Sequence, residues 1–157
     1  AALPAMRRGR GGRGMNRMPS IHADCLAPGE AEGRVSLLSK PLSLWGGFDP
    51  GKGTLVDVNH PDFGAVLSGR VLVMPGGRGS SSSSSVLLES ARLGRNPAAI
   101  VLAERDPILA VGALVAADLY GVSIPIIRVP PGTLAAFGEA GSVRIVAEAG
   151  NVSVEPL

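Results

Sequence analysis

The chain has 157 residues, of which 45% are hydrophobic, enough for one core by the usual scaling of buried surface with length. Only 3% are aromatic while 22 are Gly and 13 Pro, so the core has to come from Val, Leu, Ile and Ala between many turns, which disfavours nucleic-acid readers that stack bases on aromatic side chains. The formal charge of +2 is misleading, because Arg7, Arg8, Arg10, Arg13 and Arg17 occur before any acidic residue and leave ten basic against thirteen acidic residues afterwards; the basic excess belongs to a tail and not to a nucleic-acid-binding face.

Residues Ala1 to Gly14 (AALPAMRRGRGGRG) are low-complexity and read as an upstream extension, with Met15 as a natural start. We expect a disordered basic extension over 1–18 and one domain over 19–157. No apolar segment follows the Arg-rich stretch, so it does not read as a secretory signal. The apolar run from Ile108 to Ala117 is well short of the roughly 20 residues that cross a bilayer. The expected location is the cytoplasm, with no membrane and no nucleic-acid partner. The single cysteine, Cys25, excludes a disulfide framework within the chain and a cysteine cluster built by it alone. It reads as an inert thiol, with no base near it in sequence. His22 and Asp24 fall in what reads as a loose segment.

From Gly33 onward short apolar runs alternate with turn residues: RVSLL, PLSLWGGFDPGKG, TLVDV, the loop NHPDFG and AVLSGRVLVMP. Val35 and Leu37, then Leu42 and Leu44, suggest half-buried strands, whereas VLVM suggests a strand buried on both faces. Lys52 reads as a solvated charge in a turn. The segment GGRGSSSSSS then leads into VLLESARLG, whose Val86, Leu87, Ala91 and Leu93 recur with helical period, and on to the strand AAIVL; this is a βαβ unit. Asp106 and Pro107 form a cap and first-turn pair for the helix PILAVGALVAADLY, with Gly121 at its end and the strand VSIPIIRV beyond. The final SVRIVAEAGNVSV alternates around Ala149-Gly150-Asn151 and predicts a closing hairpin. The predicted class is α/β, with a short parallel layer joined by right-handed crossovers and a β-rich opening.

The segment from Gly76 to Ser85 joins a buried strand to a helix. Glycines there let the backbone approach a ligand, and the helix N-terminus offers free N–H groups to an anion. A nucleotide P-loop needs a Lys before Ser or Thr, and a dinucleotide fingerprint needs Gly where Ser82 stands; neither pattern is met. An anion loop and a flexible Ser/Gly linker both remain, and the position between strand and helix favours the loop. Glu104, Arg105 and Asp106 follow a strand end, where open α/β sheets bind ligands, although Asp106 is better explained as a helix cap.

The order G-F-D-P-x-x-G, H-P-D, G-x-V-L-V-x-P, G-R-G-S, D-P-I-L-A-x-G-A and G-V-S-I-P, spanning Gly33 to Val129, resembles the small subunit, or swivelling domain, of the aconitase X family. The resemblance implies an aconitase-like swivelling β/β/α domain. It also implies a dehydratase acting on cis-3-hydroxy-L-proline or on 5-phosphomevalonate. The partner implied is a large subunit holding an iron or iron–sulfur centre, with no metal bound by this chain. In the family's G-x-G-S pattern the catalytic base is the serine after Gly77-Arg78-Gly79, here Ser80; six serines in a row keep Ser81 and Ser82 open as alternatives. Arg78, Gly79, Ser81, Ser82 and His60 are the implied substrate-binding residues, His60 serving equally well as a turn residue. The Ala-, Gly-, Arg- and Pro-rich composition points to a GC-rich bacterial source and so to the hydroxyproline branch. The competing readings are a non-catalytic anion-binding or assembly module and a stand-alone phosphate binder, the latter without support from the mildly acidic body.

Overall fold

A computed structural model describes residues 18–157; the predicted extension, except Met18, lies outside the described residues. In chain order the elements are β1 (Asp24–Ala27), β2 (Gly29–Leu37), α1 (Leu44–Gly47), β3 (Phe48–Asp49), β4 (Thr54–Leu55), β5 (Val71–Met74), α2 (Ser82–Arg92), β6 (Ala99–Leu102), α3 (Pro107–Tyr120), β7 (Ile126–Arg128), α4 (Leu134–Ala140), β8 (Ser142–Glu148) and β9 (Asn151–Pro156). Seven strands make one sheet in the order β1-β7-β6-β5-β2-β8-β9, and β3 with β4 makes a separate small hairpin.

The runs VLVM and AIVL form β5 and β6, every residue buried, because both strands lie inside a parallel layer with neighbours on each face. That layer runs β2, β5, β6, β7, all parallel. Antiparallel β1 closes one side of it and the β8–β9 hairpin extends the other. β1 also packs near β8 and β9, so the sheet curls toward a barrel. The side chains of alternate residues feed two cores. Leu72, Met74, Ile100, Leu102 and Ile126 face α2, α3 and the lobe of residues 42–67. Val71, Val73, Val101, Ile127 and Ile145 face inward with Phe137 of α4.

α3 follows its predicted signals closely. The Asp106 side chain accepts a hydrogen bond from the Leu109 N–H at 3.0 Å, Pro107 occupies the first turn, and Gly121 ends the helix in the left-handed region at φ 64°. The closing hairpin is also present, with Glu148 paired to Asn151 across a two-residue turn.

Elsewhere the structure corrects the sequence reading. Asp24, expected with His22 to be in a loose segment, instead opens β1, where it pairs with Arg128 across the sheet. β2 starts at Gly29, four residues before the expected boundary. The stretch around Leu42 and Leu44 is not a half-buried strand: both residues are buried, and the chain turns through Trp45 and Gly46, whose backbone angles are not helical. Of TLVDV only Thr54–Leu55 is strand, and of VSIPIIRV only Ile126–Arg128. α2 begins at Ser82, so four of the six serines belong to the helix and the loop before it is shorter than expected. α4 was not expected at all; it forms where Phe137 is buried against the inner face of the sheet.

Candidate active-site loop

The parallel strands place their carboxyl ends on one edge of the sheet, where open α/β folds bind ligands. From β5 the chain leaves as Pro75–Ser81 and enters α2. Beside it runs the continuation of β2: Leu38 N–H bonds to the Val73 carbonyl at 2.8 Å, Arg78 N–H bonds to the Leu42 carbonyl at 3.2 Å, and Leu42 bridges Gly77. From the next strand end come Glu104 and Asp106. A Cβ placed on Gly76 would lie 2.8 Å from Glu104 Oε2, and one on Gly77 would collide with Asp106 Oδ2. The backbone of this loop therefore rests against two carboxylates: a side chain at 76 would displace the exposed Glu104, and one at 77 would meet the Asp106 carboxylate, which its cap bond holds. Gly79 has φ 101°, a region open to glycine and unfavourable for other residues, and its Cα faces Ser43 Oγ.

The six serines are not equivalent. Ser80 is exposed, and its Oγ accepts the Ser82 N–H at 3.3 Å, so this oxygen sits at the positive end of α2. Ser81 occupies the N-cap position without making a side-chain cap bond. Ser84 Oγ donates to the Ser81 carbonyl at 2.7 Å and is committed to the helix. Ser83 is buried, and its Oγ has no hydrogen-bond partner among the described residues. Arg78 is exposed and makes no ion pair among the described residues, leaving its guanidinium available to an incoming carboxylate. Next to Ser81 and Ser84, a shallow groove of 270 Å³ is lined by Pro107, Ile108 and Val111.

His60 bonds within its own turn and to the segment after β2. It is 7% exposed; its Nδ1 accepts the Asp62 N–H at 3.0 Å while Nε2 lies 3.1 Å from the Lys40 carbonyl. The two bonds tie the 57–63 turn to the segment after β2. Asp24 accepts Arg128 at the same sheet edge as the loop, and Arg105 reaches it at 3.4 Å. Arg128's hydrogen bonds, its charge and that of Arg105 hold the Asp24 carboxyl below its ordinary range. Burial pushes the Cys25 thiol up, which suits the inert role expected of it. Ser43 beside Gly79 was not expected, since no spacing in the sequence relates it to a loop beginning more than thirty residues later, and Ser83 is indistinguishable from its neighbours until the helix is formed.

Among the described residues no group of three or more His, Cys, Asp or Glu side chains is arranged to hold a metal ion. No helix among them is long and apolar enough to cross a membrane.

The family model described as "Aconitase X swivel domain" matches residues 20–154. Over 110 residues the chain is 49% identical to a cis-3-hydroxy-L-proline dehydratase of Pseudomonas aeruginosa, an overlap covering 67% of this chain and 19% of that protein. The chain therefore spans about a fifth of that relative's length. It is 43% identical over 131 residues to a phosphomevalonate dehydratase small subunit of Methanopyrus kandleri, covering 83% of this chain and 91% of that subunit. The crystal structure of Thermococcus kodakaraensis aconitase X (holo-form) superposes with a TM-score of 0.73 at 31% identity, covering 87% of this chain and 98% of the other.

Proposed function

The chain belongs to the aconitase X swivel domain family, and we propose that it is the small-subunit component of a hydro-lyase, supplying Ser80 as the base that dehydrates cis-3-hydroxy-L-proline. The observation that carries this reading is the position of Ser80 Oγ, exposed and accepting an N–H at the N-terminus of an eleven-residue helix. A free serine hydroxyl is far too weak a base, so its alkoxide has to be stabilised, and oriented N–H groups with a helix dipole supply that stabilisation. Ser80 takes the proton from the carbon α to the carboxylate; the freed electron pair forms the new carbon–carbon double bond, and the hydroxyl on the adjacent carbon departs. Arg78 and the loop around Gly79, Ser81 and Ser82 hold the substrate's oxygens. His60 contributes by fixing the lobe against which the loop lies.

Departure of hydroxyl needs an electrophile, and this chain does not fit one: it has a single cysteine and no metal-holding cluster among the described residues. We assign the iron or iron–sulfur centre to a large subunit. Trp45, Val58 and Phe63, which are 63%, 76% and 57% exposed, lie in the lobe beside the loop and form the surface that this subunit would cover. In this reading the domain occupies 19–157, preceded by a basic extension, and works in the cytoplasm. A second substrate has its own support, because the relatives matched over nearly their whole length are small subunits named for phosphomevalonate. The test is co-expression with a large subunit and an anaerobic dehydratase assay on both compounds. Turnover of cis-3-hydroxy-L-proline alone supports the assignment; turnover of 5-phosphomevalonate alone transfers it to the other branch; turnover of neither by an assembled, iron-loaded complex leaves a non-catalytic assembly module.

A further inference from the structure

The three charged residues that follow β6 are committed differently. Asp106 caps α3 through the Leu109 N–H at 3.0 Å. Arg105 turns to Asp24, its guanidinium 3.4 Å from Oδ2, and Arg128 binds the same carboxylate. Glu104 is exposed, and its side chain makes no hydrogen bond or ion pair among the described residues. It nevertheless lies against the loop: a Cβ on Gly76 would sit 2.8 Å from Glu104 Oε2 and 3.7 Å from its Cβ. The side chain therefore runs along the backbone just ahead of Arg78 and Ser80. An uncompensated carboxylate in this place repels a wholly anionic ligand and favours one that also brings a positive charge. The two substrates under consideration differ in that respect. cis-3-Hydroxy-L-proline bears a carboxylate and a ring ammonium on one carbon, whereas 5-phosphomevalonate bears a carboxylate and a phosphate and has no nitrogen.

We propose that Glu104 binds the ring ammonium of cis-3-hydroxy-L-proline and so sets a preference for a cyclic amino acid over a wholly anionic hydroxy acid. The inference rests on the proposed function and adds which residue holds the substrate's nitrogen. The ammonium donates to the Glu104 carboxylate in a charge-assisted hydrogen bond, while the substrate's carboxylate meets Arg78. Anchoring two substituents of the α-carbon stops rotation about either one and orients its C–H bond for the base.

The test uses the complex with a large subunit and the variant Glu104→Gln, which keeps the shape of the side chain and removes its charge. For cis-3-hydroxy-L-proline, KM is expected to rise about tenfold, the worth of one hydrogen bond to a charged group, with kcat nearly unchanged. Inhibition by tetrahydrofuran-2-carboxylate, which has a ring oxygen where the substrate has its nitrogen, is expected to be as strong in the variant as in the wild type or stronger. Glu104→Asp, with the charge on a shorter arm, is expected to recover part of the loss. An unchanged KM in Glu104→Gln overturns the proposal. Equal weakening of substrate and inhibitor overturns it too, because Glu104 then acts on the loop and not on the nitrogen. Failure of Glu104→Gln to assemble also overturns it and assigns the residue to the subunit contact. A wild-type complex that does not dehydrate cis-3-hydroxy-L-proline refutes the proposed function and this inference with it; a wild-type complex that does, beside an unchanged variant, refutes this inference alone.

Discussion

The loop that carries Ser80 is held in place by contact between Gly77 and Asp106, and that contact can be tested by a double-mutant cycle. Asp106 uses Oδ1 to cap α3 through the Leu109 N–H at 3.0 Å, while its other oxygen lies where a Cβ on Gly77 would go. The cap pins the carboxylate, so it cannot swing aside cheaply. Gly77→Ala should therefore behave as overpacking, which costs about 1–3 kcal/mol. Asp106→Ala should lose a helix cap, about 1 kcal/mol. In the double variant the added methyl meets no carboxylate, so most of the first cost disappears and the total falls below the sum of the singles by about 1 kcal/mol or more. For a domain of this size, 1 kcal/mol corresponds to about 2–4 °C in melting temperature, so thermal unfolding followed by circular dichroism resolves the difference. Additive costs within about 0.5 kcal/mol would refute the argument that Asp106 sets the path of the loop.

The remaining predictions concern the core, the sheet edge and the outer surface. Phe137→Ala removes a side chain that is 0% exposed and should cost about 3–5 kcal/mol, seen as a fall of roughly 6–20 °C in melting temperature; a fall of a degree or two would mean that α4 does not close the inner core. Arg128 keeps Asp24 ionised below its ordinary value of about 3.9, so the ion pair's contribution is complete above that pH and fades as pH falls through the lower folded-state value. Melting curves of the wild type and Asp24→Asn should consequently differ most near neutral pH and converge in acid; a gap independent of pH would contradict the linkage. Trp45→Asp should leave the melting temperature nearly unchanged while weakening co-purification with the large subunit, and undiminished recovery would remove this lobe from the interface.

Local signals carried much of the fold. Asp106-Pro107 and Gly121 bound α3 because a cap, a first-turn proline and a left-handed glycine act within a few residues. VLVM read as a strand buried on both faces and AAIVL as a strand after the helix, and both are buried throughout because a parallel layer leaves no wet face. What escaped depends on distant partners. β1 has no apolar run of its own and exists because Asp24 and Cys25 pair with Arg128 and Ile127. The serine run has weak helix propensity, yet Ser82 to Ser85 are helical because α2 packs along α3. Leu42 and Leu44 alternate like a strand, but the chain turns at Gly46, with φ 77°, and buries both side chains in the lobe.

Site legibility divides in the same way. Gly77-Arg78-Gly79-Ser80 is a contiguous motif and points to one loop by itself. The close approach of Ser43 to Gly79 is brought about by the Leu42–Gly77 bridge, and no pattern of residue types announces it. Asp106 carried a legible cap signal, while its contact with Gly77 emerged only with the fold.

The central claim is that Ser80 is the base, and the most direct measurement is the dehydration rate of cis-3-hydroxy-L-proline by the assembled enzyme carrying Ser80→Ala, with Ser81→Ala and Ser82→Ala alongside. The account predicts a loss of at least ~10²-fold for Ser80→Ala, the lower end for removing a general base, with much smaller losses for the other two. Near-normal turnover in Ser80→Ala would contradict it and move the base to a neighbouring serine or to the partner subunit.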